Sequence, residues 1–236
     1  MSKGISPHLK QGDAFPKKSK GTLRLYSMQY CPYAMRARLM LAKKNVEHEV
    51  VNIHLRNKPT WFLEKYPVGT VPVIEKDDRL LGGSLVIAEF IDEVYSKPGQ
   101  RLLLQDSYEK ARIKMLIDDT FTKAITSIYQ AIEKRENWEE SFYPRVGELE
   151  KVLEANKYFG GKAIGYADYM IYPWLRLLGP HGIDNVLSAG KFPKLGQWLK
   201  EAAQDETIKK CDTKPEILSK FLNGYLTGNY VYDLEI

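Results

Sequence analysis

The stretch from Leu23 to Ile53 constrains the fold most. Leu23–Met28 has the composition of a strand, and Pro32–Lys44 follows with apolar Ala34, Ala37 and Leu41 at helical spacing. Pro32 suits the first helical position, where a missing N–H costs nothing. His48–Ile53 then reads as a second strand. A strand, a single helix and a strand joined this tightly can only bring the two strands together in parallel, because the crossover returns the chain to the same end of the sheet. A short helix over Pro59–Lys65 comes next, then a hairpin of Val71–Ile74 and Arg79–Leu81 around Asp77-Asp78. Ser84–Val94 completes the pattern as a helix with one apolar face through Val86, Ile87, Phe90, Ile91 and Val94.

After the linker-like Ser96–Gln100, strand signals stop. Helical periodicity takes over in Tyr108–Glu133, Phe142–Asn156, Gly165–Leu178, Leu195–Gln204 and Glu216–Leu226. The expected organisation is a loose arm over 1–20 that packs late on the body, a small α/β domain over 21–96 and an all-helical domain over 107–228.

Composition narrows the function class. Of 236 residues, 44% are hydrophobic and 28% charged, which argues against a disordered, collagen-like or disulfide-dense chain. The net charge of +5 is spread along the chain, suiting anionic small molecules better than nucleic acid. Two distant cysteines, Cys31 and Cys211, make neither a metal motif nor a disulfide framework. With no apolar leader and no membrane-length apolar run, a reducing cytoplasmic setting is expected.

The turn Tyr30-Cys31-Pro32-Tyr33 carries the chemistry. A thiol between a strand and a helix meets the positive end of the helix dipole, which favours thiolate. A thiolate attacks disulfides and electrophilic carbons. Ala34 stands where a redox pair would have its second cysteine, so a resolving thiol must come from solution, and glutathione is the natural candidate. The plainer alternative is that Cys31 is a small packed residue, as free cysteines often are. Cys211 lacks any such setting.

These residues resemble the omega-class glutathione S-transferases. The resemblance rests on Leu23–Leu39 with its Cys-Pro-Tyr, Asn57-Lys58-Pro59 with Trp61-Phe62, Val68–Val73, Ser84–Glu89, Ala167-Asp168-Tyr169 and Pro173-Trp174. It implies a thioredoxin-like domain followed by an all-helical one, with glutathione as co-substrate. Cys31 would be the catalytic thiol and Tyr33 the aromatic neighbour of glutathione. Lys58 would reach the glycine carboxylate, and Val71 would pair its backbone with the cysteinyl part. Pro72 would be the cis proline, and Ser84 would hold the γ-glutamyl carboxylate. Pro32, Tyr33, Trp174 and Tyr225 would line a pocket for small electrophilic or disulfide substrates between the domains. The resemblance further implies a homodimer, thiol transfer and dehydroascorbate reduction, and neither metal, nucleic acid nor membrane as partner.

One position departs from the family. An acid normally precedes the serine and meets the γ-glutamyl ammonium, and here Gly83 takes its place. Losing a charged hydrogen-bond partner is worth about 1.5–3 kcal/mol, so Gly83 predicts weak glutathione binding. Gly165 also replaces the usual Ser or Thr cap before Asp168, and Arg176 falls one place earlier than the family's basic residue. Two alternatives follow. One is a scaffold of this type whose site has decayed through Gly83. The other, a chloride-intracellular-channel-like protein, is disfavoured by Arg36, Arg38, Lys43 and Lys44 in the segment that would enter a membrane.

Overall fold

The structure, a computed structural model, describes residues 6–17, 21–181 and 187–235. In chain order it comprises β1 (Leu23–Ser27), α1 (Pro32–Lys43), β2 (His48–Asn52), α2 (Thr60–Lys65), β3 (Val73–Lys76), β4 (Arg79–Gly82) and α3 (Ser84–Val94). Helices α4 (Ser107–Met115) and α5 (Thr122–Ile132) follow, then α6 (Trp138–Ala155), α7 (Tyr166–Leu175), α8 (Pro193–Ala202), α9 (Glu206–Cys211) and α10 (Pro215–Thr227). The chain divides into two compact units, Met1–Ser96 with Lys220–Ile236, and Lys97–Ser219.

The α/β unit holds a four-stranded sheet of order β2-β1-β3-β4. As the short crossover requires, β1 and β2 are parallel, with Leu25 opposite Val50. Strand β3 runs antiparallel to β1, with Tyr26 opposite Val73, and to β4, with Val73 opposite Gly82. Every residue of β1 is buried, Arg24 included. Burying a guanidinium is tolerable only if it is paired. Its Nε donates to Glu49 on β2 at 2.8 Å, and its terminal nitrogens donate to the carbonyls of Pro16 (2.9 Å) and Lys17 (2.7 Å). Helices α1 and α3 pack together, and the Lys44–Asp92 ion pair at 2.6 Å ties the end of α1 to α3.

Two expectations about this unit change. The described part of the arm, residues 6–17, is not loose. Leu9 bridges to Ile53, with Leu9 N–H donating to Asn52 O and His54 N–H to Leu9 O, both at 2.9 Å. It also supplies the carbonyls that Arg24 needs. The second change is at the other end, because Lys220–Ile236 joins the α/β unit rather than the helical domain expected to run to 228. Phe221 stacks on Tyr30 with ring centroids 4.4 Å apart, and Arg56 donates to the Tyr230 hydroxyl at 2.6 Å. An α/β core this small is extended by aromatic rings from the tail.

In the helical unit, the long helix expected over Tyr108–Glu133 is α4 and α5 joined by a π-helical segment, Leu116–Phe121. There the Thr122 hydroxyl donates to Ile117 O at 2.9 Å. Helix α7 is buried along its whole length, including Asp168 in its first turn. This carboxylate accepts from the N–H groups of Phe159 (2.9 Å), Gly160 (3.0 Å) and Gly165 (2.8 Å) and from Trp198 Nε1 (2.7 Å). Gly165 has no side chain to complete a capping box, so Asp168 does the capping itself. Burial pushes its carboxyl pKa up while the four donors pull it down.

Candidate active site

Sheet register gathers the site at one end of the α/β unit. Tyr26, Val73 and Gly82 lie in one row across β1, β3 and β4. Beyond that row come the turn from β1 into α1, the residues just before β3 and the entrance to α3. Cys31, Val71-Pro72 and Gly83-Ser84 therefore leave the sheet side by side.

Cys31 is the N-cap of α1, with extended backbone (φ −70°, ψ 121°), and Pro32 opens the helix. Its N–H donates to Met28 O at 3.1 Å, closing the turn, and its carbonyl accepts from Met35 N–H at 2.9 Å. Neither the cap nor the first turn of α1 brings a negative charge. Cys31 is 8% exposed and Pro32 is buried, whereas Tyr33 is 41% exposed. Burial pushes the phenol of Tyr30 up to about 12, so it stays neutral at neutral pH.

The Val71–Pro72 peptide bond is cis, and both residues are buried. Lys58 is half-buried in the loop between β2 and α2, its Cδ close to Gly69. Ser84, 8% exposed, is the first residue of α3, whose first turn also carries no acid. Gly83 has φ +88° and ψ 117°, a conformation that strongly favours glycine. A side chain there would have room, since its Cβ would meet only Val86, at 3.5 Å. Gly82 is a glycine for a different reason, because a Cβ would come within 2.0 Å of the Tyr66 hydroxyl. The glycine pair is thus a packed strand end and a left-handed cap.

Two residues of the expected pocket part company. Tyr225 is half-buried, edge-on to Tyr230 with ring centroids 5.8 Å apart. Trp174 is 0% exposed in the helical unit, edge-on to Phe121. Its expected place in a substrate pocket is corrected to core packing, since a ring with no accessible surface cannot line a pocket. Arg176 is likewise committed, its Nη1 donating to Asp212 at 2.5 Å.

Sequence reasoning treated Arg36 and Arg38 as ordinary charges on α1. Both are buried. Arg36 Nη1 donates to Ser84 Oγ at 3.2 Å, and its guanidinium lies 6.0 Å from the Tyr33 ring centroid. Arg38 donates to Gln29 O at 2.6 Å and holds the turn before Cys31. The available signal was two arginines two apart inside an otherwise apolar helix directly after the cysteine.

Residues 25–99 match the family described as glutathione S-transferase, N-terminal domain, and residues 118–211 match its C-terminal domain. A human protein named glutathione S-transferase omega-2 is 35% identical over 89% of this chain and 88% of its own length. The pig glutathione S-transferase omega-1 is 35% identical over 97% of both chains. The chain belongs to the omega glutathione S-transferases. A Drosophila melanogaster relative named pyrimidodiazepine synthase is 33% identical over 96% of both chains. In fold, the omega glutathione transferase 1C of Trametes versicolor superposes with a TM-score of 0.78 over 89% of this chain and 99% of its own, at 23% identity. Glutathione is the co-substrate of this family. Among the described residues no helix is long and apolar enough to cross a membrane, and no cluster of ligands could hold a metal ion.

Proposed function

We propose that this omega glutathione S-transferase is a glutathione-dependent thiol transferase and dehydroascorbate reductase with Cys31 as its nucleophile. The observation that carries the reading is Cys31 at the N-cap of α1, with a neutral tyrosine before it and Ala34 where a second cysteine would stand. The helix N-terminus favours the thiolate. The thiolate attacks the glutathione sulfur of a mixed disulfide RS–SG, forming Cys31–S–SG and releasing RS⁻. A second glutathione thiolate then attacks that disulfide, forming GSSG and returning Cys31 as thiolate. With dehydroascorbate, two glutathiones are oxidised to one GSSG as ascorbate forms.

For binding, Ser84 and the α3 N-terminus would take the γ-glutamyl carboxylate. Arg36 occupies one side of the Ser84 oxygen, which leaves the serine's own proton to turn toward the ligand. The Val71 backbone would pair with the cysteinyl part, in the manner of an added strand. Lys58 would meet the glycine carboxylate, and Tyr33, the most exposed of these side chains, would lie along the tripeptide. Gly83 supplies no acid for the γ-glutamyl ammonium, and Asp77-Asp78 sit at the far end of the β3–β4 hairpin. We accordingly assign weak glutathione binding. The substrate pocket would draw on Pro32 and Tyr225, and the protein would work as a cytoplasmic homodimer; sedimentation at micromolar concentration showing only monomer would remove the dimer.

The test is calorimetric titration with glutathione, alongside thiol-transfer assays of wild type and Cys31→Ala. Glutathione turnover that depends on Cys31 is expected. A second reading, a decayed scaffold, is favoured by Gly83 alone, and wild type without measurable turnover at saturating glutathione would select it.

A further inference from the structure

The turn that carries Cys31 is held from outside the sheet and α1 by a residue of the arm. His8 is 4% exposed. Its Nε2 lies 3.1 Å from the N–H of Gln29, and its Nδ1 lies 2.7 Å from Asp233 Oδ1. These contacts determine the tautomer. Gln29 N–H can only donate, so Nε2 is the bare acceptor, and Nδ1 carries the proton that it donates to the carboxylate. The His8 N–H also donates to Asp233, at 3.0 Å. A further proton on the ring must go to Nε2, where it would confront Gln29 N–H.

We propose that His8 is a positioning residue for Cys31: as a neutral imidazole held by Asp233 it fastens the backbone of Gln29, two residues before the nucleophile, and its protonation undoes that fastening. The proposal rests on Cys31 as the reacting thiol. The same turn is closed by Cys31 N–H on Met28 O, by Arg38 on Gln29 O, and by Tyr30 stacked between His8 and Phe221. The arm and tail thereby act on the sulfur through one amide.

The groups facing the ring are Asp233 from the tail, Arg38 from α1, His54 from the loop after β2, and the phenols of Tyr30 and Tyr232. Burial lowers the imidazole below its ordinary 6.5, Arg38 and His54 lower it further, and Asp233 opposes them. The sign follows. Folding disfavours the protonated ring, so the fastening is intact above pH 6.5 and is lost as pH falls through the lowered pKa.

The experiment uses the full chain, as wild type, His8→Ala and His8→Gln. It measures the rate of Cys31 alkylation by iodoacetamide from pH 5 to 8.5, with the modified site read by mass spectrometry. Thiol transfer with glutathione and exchange of the Gln29 amide are followed in the same samples. A glutamine places Oε1 near the position of Nε2, accepts from Gln29 and does not titrate. His8→Ala should slow alkylation per thiolate at pH 7.5 by about threefold to tenfold, the scale of one hydrogen bond, and speed Gln29 exchange. His8→Gln should restore most of that rate and remove the part of the acid fall-off that wild type shows beyond thiolate loss. A role confined to stability would lower the melting temperature and leave the pH profile of alkylation unmoved, and that result overturns the proposal. If His8→Ala does not fold, His8→Gln decides alone, and an acid limb identical to wild type overturns it. Thiol transfer that survives Cys31→Ala would instead defeat the nucleophile reading, with Gln29 exchange still reporting on His8.

Discussion

The two units treat their helix N-termini in opposite ways. In the helical unit, carboxylates are spent on them. Asp106 accepts from Glu109 N–H at the start of α4, and Asp205 from Thr207 and Ile208 N–H at α9. Glu150 of α6 accepts from Lys194 and Leu195 N–H at α8, and Asp168 secures the approach to α7. In the α/β unit, α1 begins at Cys31 and α3 at Gly83, with no acid in either first turn. Both kinds of end have the same dipole and the same orphan N–H groups. Where the protein supplies its own anion the helix is anchored, and where it supplies none the positive end is, in the proposed function, left for the Cys31 thiolate and for a glutathione carboxylate. A cap is therefore informative by its absence as much as by its presence.

The largest effect should come from the open end of α1. Cys31→Ala is expected to abolish thiol transfer while Cys211→Ala leaves it intact, and faster iodoacetamide labelling of Cys211 than of Cys31 would break the comparison there. On the anchored side, Asp168→Ala strands several buried donors. A loss of at least about 3 kcal/mol is expected in urea unfolding, since each orphaned group costs about 1–3 kcal/mol. A loss below 1 kcal/mol would mean that water replaces the carboxylate without penalty.

Gly83 sharpens the contrast, since Gly83→Glu puts an acid at the open end of α3. Glutathione should bind tighter by about tenfold or more through a charged hydrogen bond. The fold should weaken by about 1–3 kcal/mol because an L-residue is forced to φ +88°. Gly83→Ala isolates the strain, and equal glutathione affinity in the Glu and Ala variants would show that no ammonium sits there. The smallest pair compares single caps. Ser84→Ala should weaken glutathione by about threefold to tenfold, the scale of one hydrogen bond. Asp205→Ala should remove about 1 kcal/mol of stability and leave glutathione binding alone. Any exchange of those two signatures would erase the distinction between ligand-facing and self-capped ends.

The period of the apolar residues by itself determined the two-part architecture, the parallel β1–β2 pair and the hairpin, because amphipathic spacing reports directly on which face is buried. The Cys-Pro-Tyr turn was equally legible, since a thiol between strand and helix is a local feature. Long-range pairing was not. Whether Arg24 and Arg36 lie in solvent or in the core depends on partners distant in sequence, Glu49 and Ser84, which no window of neighbouring residues contains. Gly82 and Gly83 look alike in the sequence, yet one yields to the Tyr66 hydroxyl and the other to a left-handed cap. Trp174 carried an aromatic signal that fits core or pocket, and only its complete burial chose. The described part of the arm, without periodicity, and the aromatic tail gain their order from Arg24, Tyr30 and each other. That order is a property of the assembled fold, because each segment finds acceptors and rings to pack on only after the sheet has formed.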